Sequence, residues 1–118
     1  GPTWTLYDGN DTVAMMKAVT GWDLTLEELM SVGRRRLNLF RAFNAREGFG
    51  RKDDRLPKKF FKPMTGSGPT TGFALTHEEV DTAIEHYYRL AGFTANGAPT
   101  RAGLRSLDIE WAADYLPA

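Results

Sequence analysis

Several groups of residues in this chain have the types and spacing from which chemistry is built. Asp53 and Asp54 are adjacent carboxylates flanked by Lys52 and Arg55, the raw material of acid–base catalysis or of a Mg²⁺ site. Adjacent carboxylates in a loop rarely point at one centre, and the sequence places no third ligand beside them. Their reading is structural: they cap a turn at Pro57 or bridge to arginines. His77 and His86 are the two imidazoles, nine positions apart and therefore half a turn out of register on one helix. They face opposite sides and do not share a metal. The stretch Gly66-Ser67-Gly68-Pro69-Thr70-Thr71-Gly72 has the composition of a phosphate loop. It lacks the Walker lysine, no strand precedes it and no helix opens from it, so it reads as a flexible turn.

The most basic part is Arg34-Arg35-Arg36 with Arg41, Arg46, Arg51 and Lys52, close to Phe40 and Phe43. Consecutive arginines on a helix project about 100° apart and make no single stripe. Glu47, Asp53 and Asp54 lie close behind as pairing partners, which favours a solvated or salt-bridged face over a nucleic-acid surface. Tyr87 sits at helical spacing and reads as a core residue with its hydroxyl at the rim. No Ser–His–Asp set can be assembled. A small acid–base enzyme built on Asp53 or Asp54 with His86 is one functional alternative, and a helical interaction domain without redox activity is another.

Composition narrows the classes further. The 118 residues suit one domain, and 42% hydrophobic with 25% charged residues is a globular balance. Fifteen basic and fifteen acidic residues cancel, so no net field draws in nucleic acid or an anionic membrane. No apolar run approaches the length of a membrane span, no secretory leader is evident, and the expected location is cytoplasmic. The absence of cysteine removes disulfides, thiolate nucleophiles and cysteine-held iron–sulfur clusters.

Helices must position these residues. Asp11 reads as the N-cap of a short helix closed by Gly21. Thr25 and Glu28 form a capping box, and Leu26, Leu29, Met30, Gly33, Leu37 and Phe40 then lay one apolar stripe along a helix over residues 26–46. A second box at Thr76 and Glu79 opens a helix whose stripe is Val80, Ala83, Ile84, Tyr87, Leu90 and Ala91, closed by Gly92. Asn96-Gly97 marks a tight turn, and Thr100 caps a last helix from Arg101 to about Leu107. Residues 47–75 run mostly as loop, with Pro57 starting a short helix through Phe61. Phe49, Phe60, Phe61 and Phe73 fall in it and must be covered, by this chain or by another body, since burying each gains about 2 kcal/mol. Period-two alternation is absent. The expected fold is all-α, a small bundle of about four helices with a long loop containing Gly, Pro and Phe. Residues 10–118 form one helical domain behind an extension at 1–9, in which Gly1-Pro2 resembles a tag remnant.

Two segments carry a family pattern, joined by a weaker third, the linking stretch that ends in Gly72-Phe73. Arg41, Phe43, Asn44, Arg46, Glu47, Gly48, Phe49, Arg51, Asp53, Asp54, Leu56 and Pro57 match R-x-F-N-x-R-E-G-F-x-R-x-D-D-x-L-P. Tyr87, Tyr88, Gly92, Phe93, Gly97, Pro99 and Thr100 match a YY-x-x-x-G-W/F-x-x-x-G-x-P-T pattern ahead of a last helix. In this order and spacing, over about residues 10–110, the chain resembles the C-terminal end of the tungsten-containing aldehyde ferredoxin oxidoreductases. The resemblance implies a large cytoplasmic parent that oxidises aldehydes to acids. Such a parent carries tungstopterin (or molybdopterin) with a 4Fe-4S cluster and passes electrons to ferredoxin. The cluster cysteines and pterin contacts of that family lie upstream, so no cofactor ligand transfers to any residue here. The resemblance makes Arg41, Asn44, Arg46, Glu47, Phe49, Arg51, Asp53, Asp54, Phe60 and Phe61 a wrapping surface. It would dock on the upstream domains and help shape the substrate entrance. Left uncovered, such a surface favours self-association.

Overall fold

The computed structural model describes residues 7–117. The reading of Gly1-Pro2 as a tag remnant lies outside them. Four α-helices run in chain order: α1 Gly9–Thr20, α2 Leu26–Arg46, α3 His77–Ala91 and α4 Arg101–Arg105. Short 3₁₀ turns cover Arg51–Asp53, Lys58–Phe61 and Glu110–Tyr115. Among the described residues there is no strand, only an isolated antiparallel bridge between Phe93 and Pro99, and the fold is all-α.

Local chemistry sets the helix ends. The hydroxyl of Thr25 accepts the Glu28 amide while the Glu28 carboxylate takes the Thr25 amide, and Thr76 with Glu79 repeats the arrangement. Gly21 and Gly92 close α1 and α3 in the left-handed region, where a Cβ is costly. The N-cap of α1 is Asp8, not Asp11. Asp8 accepts the amides of Asn10 and Asp11, and the Asp11 carboxylate accepts the Asp8 N–H in return. Two aspartates at this spacing both bear on one helix start, and the earlier one takes the cap. The last helix stops at Arg105, short of Leu107, and the chain turns at Asp108 into the 3₁₀ stretch Glu110–Tyr115.

The core lies against the C-terminal half of α2. Ala42, Leu104, Ile109 and Ala112 are buried together, with Leu39, Leu107, Ala113 and Leu116 packed around them. This overturns the expected orientation of α2. Its packed face is Asn38, Ala42 and Ala45, whereas Met30, Leu37 and Phe40 of the predicted stripe are 60%, 56% and 55% exposed. At 100° per residue the two faces lie roughly 130° apart. Alanine and a self-satisfied Asn38, whose amide donates to the Arg34 carbonyl at 2.9 Å, let the final 3₁₀ stretch pack against the helix. The bulky side of the helix is left outside.

Helix α3 departs in the same sense. Tyr88 is the buried tyrosine, at 3% exposure, and Tyr87 is half exposed. The molecule is a slab of 51 × 45 × 20 Å. Its radius of gyration is 18.5 Å, where a compact domain of this length has about 13–14 Å.

Candidate functional site

The loop that leaves α2 is held by a charged hub that draws on three parts of the chain. Arg41, one turn before the end of α2, presents its guanidinium fork to Asp54, with Nη1–Oδ1 at 3.1 Å and a second, parallel bond from Nη2 to Oδ2. Tyr88 on α3 donates its hydroxyl to the same Asp54 carboxylate. The Arg41 guanidinium also lies over the rings of Tyr88 and Phe93, 5.5 and 5.6 Å from their centroids. Arg51 donates to the Asp54 carbonyl at 3.2 Å and pairs with Asp81 on α3. Tyr88 stood out in the sequence as part of the family pattern and of the Tyr87-Tyr88 pair whose hydroxyls could hold a ligand, and Asp81 not at all. The Ile84–Tyr88 step of four was the available signal, and helical spacing pointed to the other member of the tyrosine pair.

Electrostatics follows from this geometry. Partial burial works to raise the Asp54 carboxyl, but the bonds from Arg41 and Tyr88 and the charges of Arg41 and Arg51 outweigh it and hold it below the usual range. Burial, then the bond to Asp54, pushes the Tyr88 hydroxyl up. The Arg41 guanidinium is raised, chiefly by its bonds to Asp54. A carboxylate so engaged is not free to take a proton from a substrate. Asp53 is committed as well, accepting the Gly50 amide at 2.9 Å.

A second tie fixes the loop to the turn after α3. The Arg51 amide lies 3.0 Å from the Asn96 carbonyl and 3.2 Å from its side-chain oxygen. Gly50 sits so close that a Cβ there would fall 2.6 Å from the Asn96 side chain. Gly97 has φ +81°, and a Cβ on it would meet the Tyr88 hydroxyl at 2.6 Å. At Gly97 backbone conformation favours glycine, and at Gly50 a Cβ would displace the Asn96 side chain.

The remaining predicted site residues scatter. Arg46 and Glu47 pair with each other at 2.8 Å at the exposed end of α2, where Arg46 also lies over Phe43. Asn44 is exposed, and its carbonyl accepts the Phe49 amide at 2.9 Å. Phe49 is 57% exposed and Phe60 is exposed. Phe61 stacks on His77, ring centroids 3.9 Å apart, which accounts for one of the two histidines structurally. His86 is exposed. The Gly66–Gly72 stretch closes as a turn: the amides of Met64 and Gly72 donate to the carbonyls of Phe73 and Met64, and Thr71 bonds back to Gly66 and Gly68. Phe73 stays exposed.

Beside the hub lies an open cleft of about 460 Å³, walled by Leu56, Leu75, Val80, Ile84 and Tyr87 with Arg41 and Asp54 at one end. Its walls are apolar. Arg55 and Glu79 also line it, and among the described residues no buried side-chain nitrogen or oxygen lacks a hydrogen-bond partner. No group of three or more His, Cys, Asp or Glu is gathered among the described residues, and the sequence has no cysteine. A thiolate-held cluster does not fit these residues, and they carry no step of its chemistry. No helix among the described residues is long and apolar enough to cross a membrane.

What the chain exposes exceeds what a monomer of its size exposes. Its accessible surface is 9332 Å², where a compact protein of this mass has about 6,400 Å². Comparison with known proteins points the same way. The sequence pattern for domains 2 and 3 of aldehyde ferredoxin oxidoreductase matches residues 3–109. The tungsten-containing aldehyde ferredoxin oxidoreductase of Pyrococcus furiosus is 33% identical over 96 residues, which is 80% of this chain and 15% of that protein. That of Thermococcus kodakarensis is 33% identical over 103 residues, 86% of this chain and 16% of that protein. That of Pyrococcus horikoshii is 31% identical over 102 residues, again 86% and 16%. The chain thus spans about one-sixth of the length of these relatives. A slab with unspent apolar surface, matched along most of its length to one part of much larger enzymes, belongs to the aldehyde ferredoxin oxidoreductase family.

Proposed function

We propose that this chain is the C-terminal, cofactor-free helical part of an enzyme that oxidises aldehydes to carboxylic acids and delivers the electrons to ferredoxin. Tungstopterin (or molybdopterin) and a 4Fe-4S cluster belong to the upstream domains of the same cytoplasmic polypeptide. Residues 41–61 dock on that body, with Phe49 and Phe60 as anchors and Arg46 and Glu47 at the rim. Arg41, Arg51, Asp53 and Asp54 act one step behind, holding the loop in the shape that docks and helping to frame the substrate entrance.

The observation that carries this reading is the exposed apolar surface of a chain whose described residues leave no buried side-chain polar atom unpaired. A surface that wants cover, with no reactive group of its own, suits a cap better than an active site. The test is a Phe49→Ser, Phe60→Ser double variant of the complete protein, assayed for aldehyde oxidation with a dye acceptor alongside tungsten and iron content. The expected result is at least a tenfold loss of kcat/KM, accompanied by weakened retention of the C-terminal part under limited proteolysis. Unchanged turnover would remove the docking role of this loop. A native gene product no longer than this chain would instead favour a stand-alone helical interaction domain without redox activity.

A further inference from the structure

The outer stripe of α2 has a spacing of its own. Leu26, Met30, Gly33, Leu37 and Phe40 follow one another at steps of four, three, four and three, the period of a coiled-coil seam over two heptads. The seam is about 21 Å long at 1.5 Å per residue. Met30, Leu37 and Phe40 are more than half exposed, whereas Leu26, at the start of the seam, lies against Gly9 of α1. Gly33 interrupts them midway as an open notch, with no atom within 4 Å of where a Cβ would stand. The flanks are basic: Arg34 bonds to Ser31, and Arg36 lies over the Phe40 ring at 5.2 Å. Among the described residues neither forms a salt bridge.

We propose that this seam seats one amphipathic helix from the remainder of the complete polypeptide, so that α2 is an interior helix covered on both faces. The occupant has apolar residues at three- and four-residue steps over about two heptads, a bulky side chain opposite Gly33 and acidic residues along its flanks. The proposal rests on the reading that the chain is part of a longer oxidoreductase, but it concerns a surface separate from residues 41–61.

Available length favours the remainder of the chain over a second copy. The relatives place some five-sixths of their length outside the matched region, ample chain to supply a covering helix.

The experiment uses the complete protein with p-benzoylphenylalanine in place of Leu37, irradiated and mapped by mass spectrometry. Adducts confined to one helical stretch of the same polypeptide, outside the present chain, are the expected result. Adducts between two copies, or within this chain alone, would overturn the proposal. A second measurement guards against misfolding of that variant. In a Met30→Cys variant, alkylation at position 30 is expected to run at least tenfold slower in the folded protein than in urea, and equal rates would also sink the idea. Aldehyde oxidation is read on the same preparations. A protected seam without oxidation leaves the helix pairing and removes the enzymatic reading, whereas oxidation with an open seam does the reverse.

Discussion

Asp54 shows how one carboxylate serves structure and not catalysis. Its two oxygens are occupied by Arg41 and Tyr88, and its backbone carbonyl by Arg51, so α2, the loop and α3 meet at a single residue. Replacing it with alanine leaves a partly buried guanidinium and a tyrosine hydroxyl without their acceptor. The expected cost is about 2 kcal/mol, read as a lowered midpoint in urea. The carboxyl is depressed in the folded state, so the stability it contributes is present above its unfolded pKa, near 3.9, and is lost as pH falls through the folded value. Glu110 behaves in the same way. Its bonds to Arg105, with a smaller contribution from Arg101, bring it down to about 2. Acid unfolding should therefore steepen between about pH 4 and pH 2, and an Asp54→Asn variant, measured by circular dichroism, should lose part of that pH dependence. An unaltered acid limb in the variant would show that the hub carries no linkage.

Helix α2 is the element on which the organisation depends, because it has two faces of different character. The inner one carries the small residues Ala42 and Ala45, and Ala42 joins Leu104, Ile109 and Ala112 in the core where the final 3₁₀ turn meets α2. Ala42→Leu should therefore overpack this contact and destabilise the isolated chain by about 1–3 kcal/mol. The outer one contributes nothing to this chain's own core, so Leu37→Glu should change the isolated chain's stability by no more than about 0.5 kcal/mol. In thermal melts the first variant should unfold several degrees below the parent and the second close to it. Equal losses would mean that the outer face is already packed.

At the scale of the molecule, flatness is the dominant property. A slab 20 Å thick has room for at most two layers of packed helices, and much of its apolar surface stays on its broad sides. Val19, Trp22, Met30, Leu37, Leu90 and Trp111 all reach solvent with more than half of their surface. The formal net charge is zero, so nothing electrostatic keeps copies apart. The isolated chain is expected to associate at high concentration, with a light-scattering mass above that of the monomer, and the association should weaken when Met30 and Leu37 are both replaced by lysine. A monomer mass at every concentration would show that the exposed stripes are not adhesive.

The helices, the caps of α2, α3 and α4 and the turn at Asn96-Gly97 were legible in the sequence, because each depends on residues a few positions apart, whereas the cap of α1 was placed at Asp11 in place of Asp8. Thr25 with Glu28 and Thr76 with Glu79 need no distant partner to start a helix. The family pattern was legible too, since it is a matter of residue order. Which side of a helix faces inward was not. An apolar stripe says that a surface is to be covered, but it does not say by what, and in α2 the bulky stripe faces away from the rest of this chain. The small residues won the inner contact because packing of the final 3₁₀ turn against α2 depends on low volume more than on hydrophobicity. Likewise, the burial of Tyr88 in place of Tyr87 was decided by Asp54, thirty-four positions away, through a bond that only the tertiary arrangement brings about.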